Sequence, residues 1–142
     1  NRRNELSRIV SSTIGEAMIH EITDENFESE VMDAGMPCVI EFTSDWCVLC
    51  KDMVPAFEKV AEELGDKVKF CSVDTGKQRK LGITFAVGSL PYVVYVANGE
   101  MTPLFDELVS ADRLRERVQF MLDGGEVATT RPVNLAHMCK GA

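Results

Sequence analysis

The fold is decided by residues 37–51, which read PCVIEFTSDWCVLCK. The apolar run at 37–42 predicts a short buried strand. From residue 48 to residue 64 the apolar side chains recur at helical spacing, and Gly65 supplies a stop signal. The Cys47-Val48-Leu49-Cys50 motif therefore lies where a strand passes into a helix.

This position gives the two cysteines their chemistry. The first N–H groups of a helix have no partner within it, and the helix dipole adds positive potential there. Both effects favour the thiolate form of cysteine, which is the species that attacks disulfides. We predict a thiol–disulfide redox site with Cys47 as the attacking sulfur. A structural zinc site needs four ligands, and the sequence does not offer a convincing set, so we expect no metal.

Composition limits the classes of function. The chain has 142 residues, 45% of them hydrophobic and 27% charged, which fits one globular domain. Its net charge of −8 argues against a nucleic-acid partner, because nucleic-acid binding requires clustered cations. No stretch approaches the ~20 apolar residues of a membrane span, and no signal peptide is visible. The sequence begins with Asn1 rather than Met, so an upstream segment could be missing.

Five cysteines without regular spacing do not form a disulfide framework. We expect Cys38 and Cys71, on neighbouring predicted strands, to be core residues; a second redox pair is the alternative. Cys139, near His137, could be a regulatory thiol or half of a metal site. Three cysteines outside the motif favour a reducing compartment, so we expect the cytoplasm. The alternative is an extracytoplasmic or periplasmic protein whose upstream signal or anchor is missing.

The chain divides into an N-terminal helical extension at 1–17, a central domain at 18–122 and a flexible C-terminal tail at 123–142. Strands are predicted at 18–22, 38–43, 68–73, 92–96 and 101–105, with Asn98-Gly99 as a hairpin turn. Helices are predicted from Thr23 to Gly35, at 48–64 and after Ser110, whereas 75–80 reads as a loop or a single helical turn. This order predicts an α/β fold in which a central five-stranded mixed sheet carries helices on both faces.

Residues 18–122 resemble the thioredoxin family, with an atypical WCVLC motif. The resemblance rests on five matches in chain order: 19–27, 39–42 with 45–47, Pro55 after the cysteines, 89–91 and 98–100. It implies a thioredoxin fold and a thiol–disulfide oxidoreductase that needs no cofactor beyond its redox-active Cys47–Cys50 disulfide. In that cycle Cys50 resolves the mixed disulfide formed by Cys47.

Glu41 interrupts an apolar strand, so its carboxyl should be desolvated and its pKa raised. The family has an acid here that helps remove a proton from the second cysteine, which implies that role for Glu41. The alternative is a side chain that reaches the surface at the strand end. The family's lysine near this acid aligns with Phe70, so that cation is absent.

The resemblance also implies a peptide-docking rim made of Trp46, Val48, Leu49, Leu90 and Pro91, with a cis peptide bond before Pro91. The alternative for Trp46 is simple core filling. Separately, a proline inside the predicted helix cannot donate its backbone hydrogen bond, so Pro55 should have a structural role as a helix kink.

A protein-disulfide reductase that acts by dithiol–disulfide exchange is the function that we expect. Val48-Leu49 replaces the usual Gly-Pro, and about 30 mV changes the equilibrium tenfold, so the direction of electron flow stays open. The alternatives are a non-enzymatic scaffold with the same fold, and an extracytoplasmic thiol oxidoreductase of different redox direction. Expected partners are disulfide-containing client proteins and an upstream thiol reductase, either a flavoprotein or a membrane thiol carrier. We expect a monomer.

Overall fold

The computed structural model describes residues 19–126 and 133–134. Its six-stranded sheet has the order β1-β3-β2-β4-β5-β6. β1, β3 and β2 are parallel, whereas β4, β5 and β6 each run antiparallel to the preceding strand in that order. The strands are β1 (Ile19–Glu21), β2 (Cys38–Thr43), β3 (Lys69–Asp74), β4 (Tyr92–Ala97), β5 (Glu100–Phe105) and β6 (Val133–Asn134).

Helices cover both faces of this sheet, as predicted. Side chains from α1 and α3 form one core with alternate residues of the strands, and the π-helix and α2 cover the other core. The helices are the π-helix (Glu28–Met32), α1 (Val48–Leu64), α2 (Arg79–Thr84) and α3 (Ala111–Leu122). In the part of the chain that the structure describes, no helix has the length and apolarity to cross a membrane.

Successive side chains of β2 point to opposite faces of the sheet. Val39 packs in the core under α1, whereas Cys38, Ile40 and Phe42 pack under the π-helix and α2. Glu41, two residues after Val39, therefore faces α1. The hairpin at Asn98-Gly99 is also confirmed, because Ala97 pairs with Glu100 and both turn residues have positive φ, 54° and 77°.

Three details differ from the sequence prediction. The first helix is a π-helix and not an α-helix, although Thr23 caps the preceding turn by accepting a 3.1 Å hydrogen bond from the Asn26 N–H. The loop or single helical turn expected at 75–80 leads into a short helix, α2, which extends beyond the predicted segment to Thr84. The sheet has six strands rather than five, because β6 pairs with β5 inside the segment assigned to the tail.

The extension at 1–17 lies outside the described residues, as do Met18, His137 and Cys139. Within the predicted tail, only 123–126 and 133–134 are described. The domain boundaries at 1–17, 18–122 and 123–142 stay predictions.

Candidate active site

The two cysteines of the motif form a disulfide at the start of α1. Their Cα atoms are 5.3 Å apart. Cys47 is the N-cap residue, with extended backbone angles, and its sulfur accepts a 3.1 Å hydrogen bond from the Cys50 N–H. A sulfur in the N-cap position thus fills the place of the usual side-chain oxygen, and it meets one of the unpaired donors of the first turn.

The first turn of α1 contains no acidic residue, so nothing there offsets the positive end of the helix. When the disulfide is reduced, the same N–H and the same dipole would stabilise a thiolate on Cys47. The two residues also differ in exposure, since Cys47 is 6% exposed and Cys50 is 1% exposed. The geometry therefore favours Cys47 as the sulfur that meets a client.

Glu41 is a buried carboxylate on the same side of the sheet as α1. Its neighbours in register are Val93 on β4 and Ser72 on β3, and the residue is 5% exposed. Among the described residues, its Oε2 atom has no hydrogen-bond partner. Burial first, and then the charge of Glu58 on α1, raise the pKa of Glu41 to about 7. Glu41 does not reach the surface, so the alternative that we kept open for it is wrong.

The position expected to carry a lysine near this acid holds Phe70. Phe70 is 1% exposed and packs edge-on against Phe57 of α1, with ring centroids 5.3 Å apart. Apolar packing therefore occupies the place of the cation, which agrees with burial as the main cause of the raised pKa of Glu41.

Pro91 is buried immediately before β4, and the Leu90–Pro91 peptide bond is cis. The next residue, Tyr92, pairs with Phe42 at the end of β2, and their rings pack with centroids 5.8 Å apart. This contact places the Leu90–Pro91 loop at the end of the sheet where β2 ends. The segment that leads from β2 to Cys47 leaves the sheet at the same end.

Pro55 lies inside α1, five residues after Cys50, and is exposed. It leaves the carbonyl of Lys51 without its helical donor. The bend that we expect at this residue stays a prediction.

Comparison with known proteins agrees with this geometry. The family model described as Thioredoxin matches residues 18–120. The chain belongs to the thioredoxin family. It is a thiol–disulfide oxidoreductase, and its clients are proteins that contain disulfides.

Two curated thioredoxins and one solved structure illustrate the similarity. A thioredoxin of Rickettsia typhi is 31% identical over 83 residues, which cover 58% of this chain and 79% of the relative. The chloroplastic thioredoxin X of Arabidopsis thaliana is 31% identical over 120 residues, 83% of this chain and 66% of the relative. The crystal structure of a chloroplastic thioredoxin z has the same fold, with a TM-score of 0.66, 22% identity and coverage of 75% of this chain and 96% of that one.

An open groove of about 470 Å³ runs beside Trp46, the residue that precedes Cys47. Trp46 and Leu90, two of the predicted rim residues, line it together. Trp46 is 76% exposed, so the alternative that it fills the core is wrong. Val48 and Leu49 do not line the groove; they project from the first turn of α1 and are 70% and 48% exposed.

Sequence reasoning missed two residues that line the same groove, Arg79 and Ile83. Both lie on α2, one helical turn apart, and Ile83 is 78% exposed. Their i, i+4 spacing in a basic segment was the available signal, but it indicates a shared face only once a helix is known to be there.

Cys38 and Cys71 are free, fully buried thiols beneath the π-helix. A hydrogen bond shared with Cys38, and then burial, raise the pKa of Cys71, so it stays protonated at neutral pH. Both contribute to the core, as predicted. In the described part of the chain, no group of three or more His, Cys, Asp or Glu side chains could hold a metal ion.

Proposed function

We propose that this thioredoxin reduces disulfides in client proteins, with Cys47 as the nucleophile. The observation that carries the proposal is the Cys47 sulfur at the N-terminus of α1, where it accepts the Cys50 N–H at 3.1 Å. In the reduced protein this donor would lower the pKa of Cys47 and hold its sulfur at the helix end.

The reaction begins when the Cys47 thiolate attacks one sulfur of a client disulfide. A mixed disulfide forms, and the other client sulfur leaves as a thiolate. The Cys50 thiol then loses its proton and attacks the Cys47 sulfur. The Cys47–Cys50 disulfide closes, and the client's remaining sulfur leaves as a second thiolate, so two electrons pass from the protein to the client.

Glu41 is the group that we assign to the proton of Cys50. It lies on the strand that faces α1, and a carboxyl with a pKa of about 7 is roughly half ionised at neutral pH. It can therefore accept a proton in one half-cycle and release it in the other. An exposed glutamate would be almost fully ionised and a weaker base.

Leu90, Pro91, Trp46, Val48 and Leu49 would receive the client segment. Trp46 and Leu90 both line the groove, and the backbone of the loop before Pro91 would pair with an extended peptide. Apolar side chains of the client would cover the exposed rim, which excludes water from the reacting sulfurs.

Reduction of insulin disulfides tests this assignment. Wild-type protein should precipitate the insulin B chain in the presence of a dithiol, whereas Cys47→Ser should be inactive. A Cys38→Ser variant, which changes a buried free thiol, is the matched control and should retain activity if it folds. Equal, negligible activity of wild type and Cys47→Ser would favour the scaffold alternative instead.

The direction of electron flow needs a separate measurement. We propose that the protein acts as a reductant. A cation between the cysteines would stabilise the thiolate and favour an oxidant, but no histidine lies there, and the nearest cation along the sequence, Lys51, follows the pair. Equilibration with glutathione buffers should give a potential near that of thioredoxins, about −270 mV. A value near the oxidising end of such pairs, about −120 mV, would contradict this direction.

An upstream thiol reductase, either a flavoprotein or a membrane thiol carrier, is the electron donor that this cycle requires. We also propose that the protein acts as a monomer in the cytoplasm, supported by the free thiols Cys38 and Cys71. Fluorescence imaging of the complete gene product fused at its C-terminus would test the compartment, and a signal outside the cytoplasm would contradict it.

A further inference from the structure

A cluster of cations beside the groove has no part in the mechanism above. Residues 77–80 read Lys-Gln-Arg-Lys, in a chain whose net charge is −8. The three cations, Lys77, Arg79 and Lys80, are all exposed. We call them the basic edge. Arg79 also lines the groove that contains Trp46 and Leu90, so this member of the basic edge lies where a client would bind.

The basic edge carries uncompensated charge. Across residues 19–126, no carboxylate oxygen lies within 4.0 Å of a nitrogen of these three side chains. The acids that adjoin the segment hold backbone groups instead. Asp24 accepts a 3.0 Å hydrogen bond from the Leu81 N–H, and Asp74 accepts one of 2.9 Å from the Gly76 N–H.

The support of the basic edge is well anchored. The Gln78 side chain accepts a 2.9 Å hydrogen bond from the Asp24 N–H, and Asp24 in turn bonds α2 through Leu81, which is 3% exposed. These bonds tie α2 to the turn that precedes the π-helix. The cations are therefore presented from a positioned backbone, which reduces the entropy lost when a partner binds.

The groove itself offers no competing negative charge. Apart from Arg79, its lining consists of apolar residues, glycines and the hydroxyl residues Thr75 and Ser89. Asp45 and Asp74 adjoin the lining residues Trp46 and Thr75 in sequence, but neither lines the groove itself. A peptide in the groove therefore meets apolar side chains and the positive charge of Arg79.

We propose that the basic edge selects clients whose disulfide lies in an acidic segment. Carboxylates beside the client cysteine would pair with Arg79 and Lys80 while apolar residues occupy the groove at Trp46 and Ile83. This inference rests on the proposed reductase function and names the chemistry of its preferred substrate.

Two synthetic disulfide peptides test it. They are identical except that two residues beside one cysteine are Glu in the first peptide and Gln in the second. The rate constant for reduction by pre-reduced protein is measured at low and high salt, and divided by the rate with dithiothreitol, which removes differences in intrinsic disulfide reactivity. Because an exposed ion pair contributes up to about a fivefold effect, we expect a roughly three- to tenfold preference for the Glu peptide at low salt. High salt should reduce that preference.

The variant Arg79→Gln/Lys80→Gln should lose most of this preference. Because the preference is a ratio of two rates measured on the same protein, it is independent of any general change in activity that the substitutions cause. The matched control is Lys59→Gln/Lys67→Gln, which also removes two exposed cations and should keep the preference. Lys59 lies in the second half of α1, and Lys67 lies just after its end. An unchanged preference in the first variant, or an equal loss in both, would overturn the inference. Failure of wild type to reduce the Gln peptide would instead overturn the proposed function.

A single-stranded oligonucleotide provides the competing assignment. We expect it to leave reduction of the Gln peptide unchanged in wild-type protein. If it inhibits wild type but not Arg79→Gln/Lys80→Gln, the basic edge binds nucleic acid, and the client assignment is wrong.

Discussion

Replacing Glu41 with glutamine should change the pH dependence of stability in a defined way. In the folded protein burial raises the pKa of Glu41 from 4.5 to about 7. Between these two values the folded state holds a proton that the unfolded chain has lost. The free energy of unfolding must therefore fall as the pH rises through this window, and the loss is complete above pH 7.

The size of the effect follows from the pKa values. At about 1.4 kcal/mol for each pH unit, the ionisation of Glu41 costs about 3 kcal/mol of stability above pH 7. The Glu41→Gln variant keeps a neutral side chain of similar size and does not titrate. The free energy of unfolding of the variant minus that of wild type should be constant at pH 4 and below, and this difference should rise by about 3 kcal/mol by pH 8.

Urea unfolding of the oxidised protein, followed by circular dichroism from pH 4 to pH 8, measures this difference. The oxidised form is chosen because Cys47 and Cys50 do not titrate in it. Glu62→Gln, which changes an exposed acid on α1, is the control and should track wild type at every pH. If the difference between Glu41→Gln and wild type is flat across this range, the carboxylate is not desolvated as the structure indicates.

Three further predictions concern packing, capping and thiol reactivity. Phe57→Ala should lower the free energy of unfolding in urea by about 3–5 kcal/mol, because Phe57 is fully buried against Phe70. Phe120→Ala, at a site that is 44% exposed, should lower it by less than about 1 kcal/mol. Similar losses in the two variants would contradict this packing. Ser110→Ala should cost about 1 kcal/mol, because the Ser110 hydroxyl accepts the Arg113 N–H at 3.1 Å, and Ser110→Thr should recover most of it. An alanine variant as stable as wild type would refute that cap. In reduced native protein, iodoacetamide should label Cys47 but not Cys38 and Cys71 until guanidine unfolds the chain. Peptide mass spectrometry measures the labelling. If all three cysteines are labelled at one rate, Cys38 and Cys71 are accessible and a second redox pair is again the favoured interpretation.

Local signals in the sequence predicted the elements that hold the site. β2 has its predicted bounds at 38–43, and α1 occupies 48–64 with Gly65 at its end, because apolar spacing and stop residues are written in the segments themselves. The hairpin at Asn98-Gly99 follows from the backbone freedom of two adjacent residues. A charge inside an apolar strand was enough to predict that Glu41 is desolvated with a raised pKa.

Features that depend on distant contacts could not be predicted in this way. α2 contains Gly82 and buries only Leu81, and Asp24, 57 residues away, bonds its backbone. β6 is two residues long and exists through its pairing with β5. Val31 is the buried residue of the π-helix. One buried side chain fits an α-helix equally well, so the spacing of apolar residues does not distinguish the π-helix from an α-helix.

The same distinction applies to the candidate site. Neighbouring residues in the sequence were enough to predict Cys47 and Cys50 at the start of a helix and Glu41 in a buried strand. The sequence did not show that Glu58 contributes to the raised pKa of Glu41, because α1 has to pack on β2 before the two carboxyls interact. Arg79 and Ile83 became part of the groove only when α2 was placed beside Trp46.

The division of labour between the two cysteines is the central claim, and trapping of the reaction intermediate tests it most directly. A Cys50→Ser variant, mixed with a disulfide peptide and analysed by mass spectrometry after acid quenching, should accumulate a mixed disulfide at Cys47. The reciprocal Cys47→Ser variant should accumulate none on the same timescale. A mixed disulfide that forms faster at Cys50 in the Cys47→Ser protein would show that the helix-terminal sulfur is not the nucleophile.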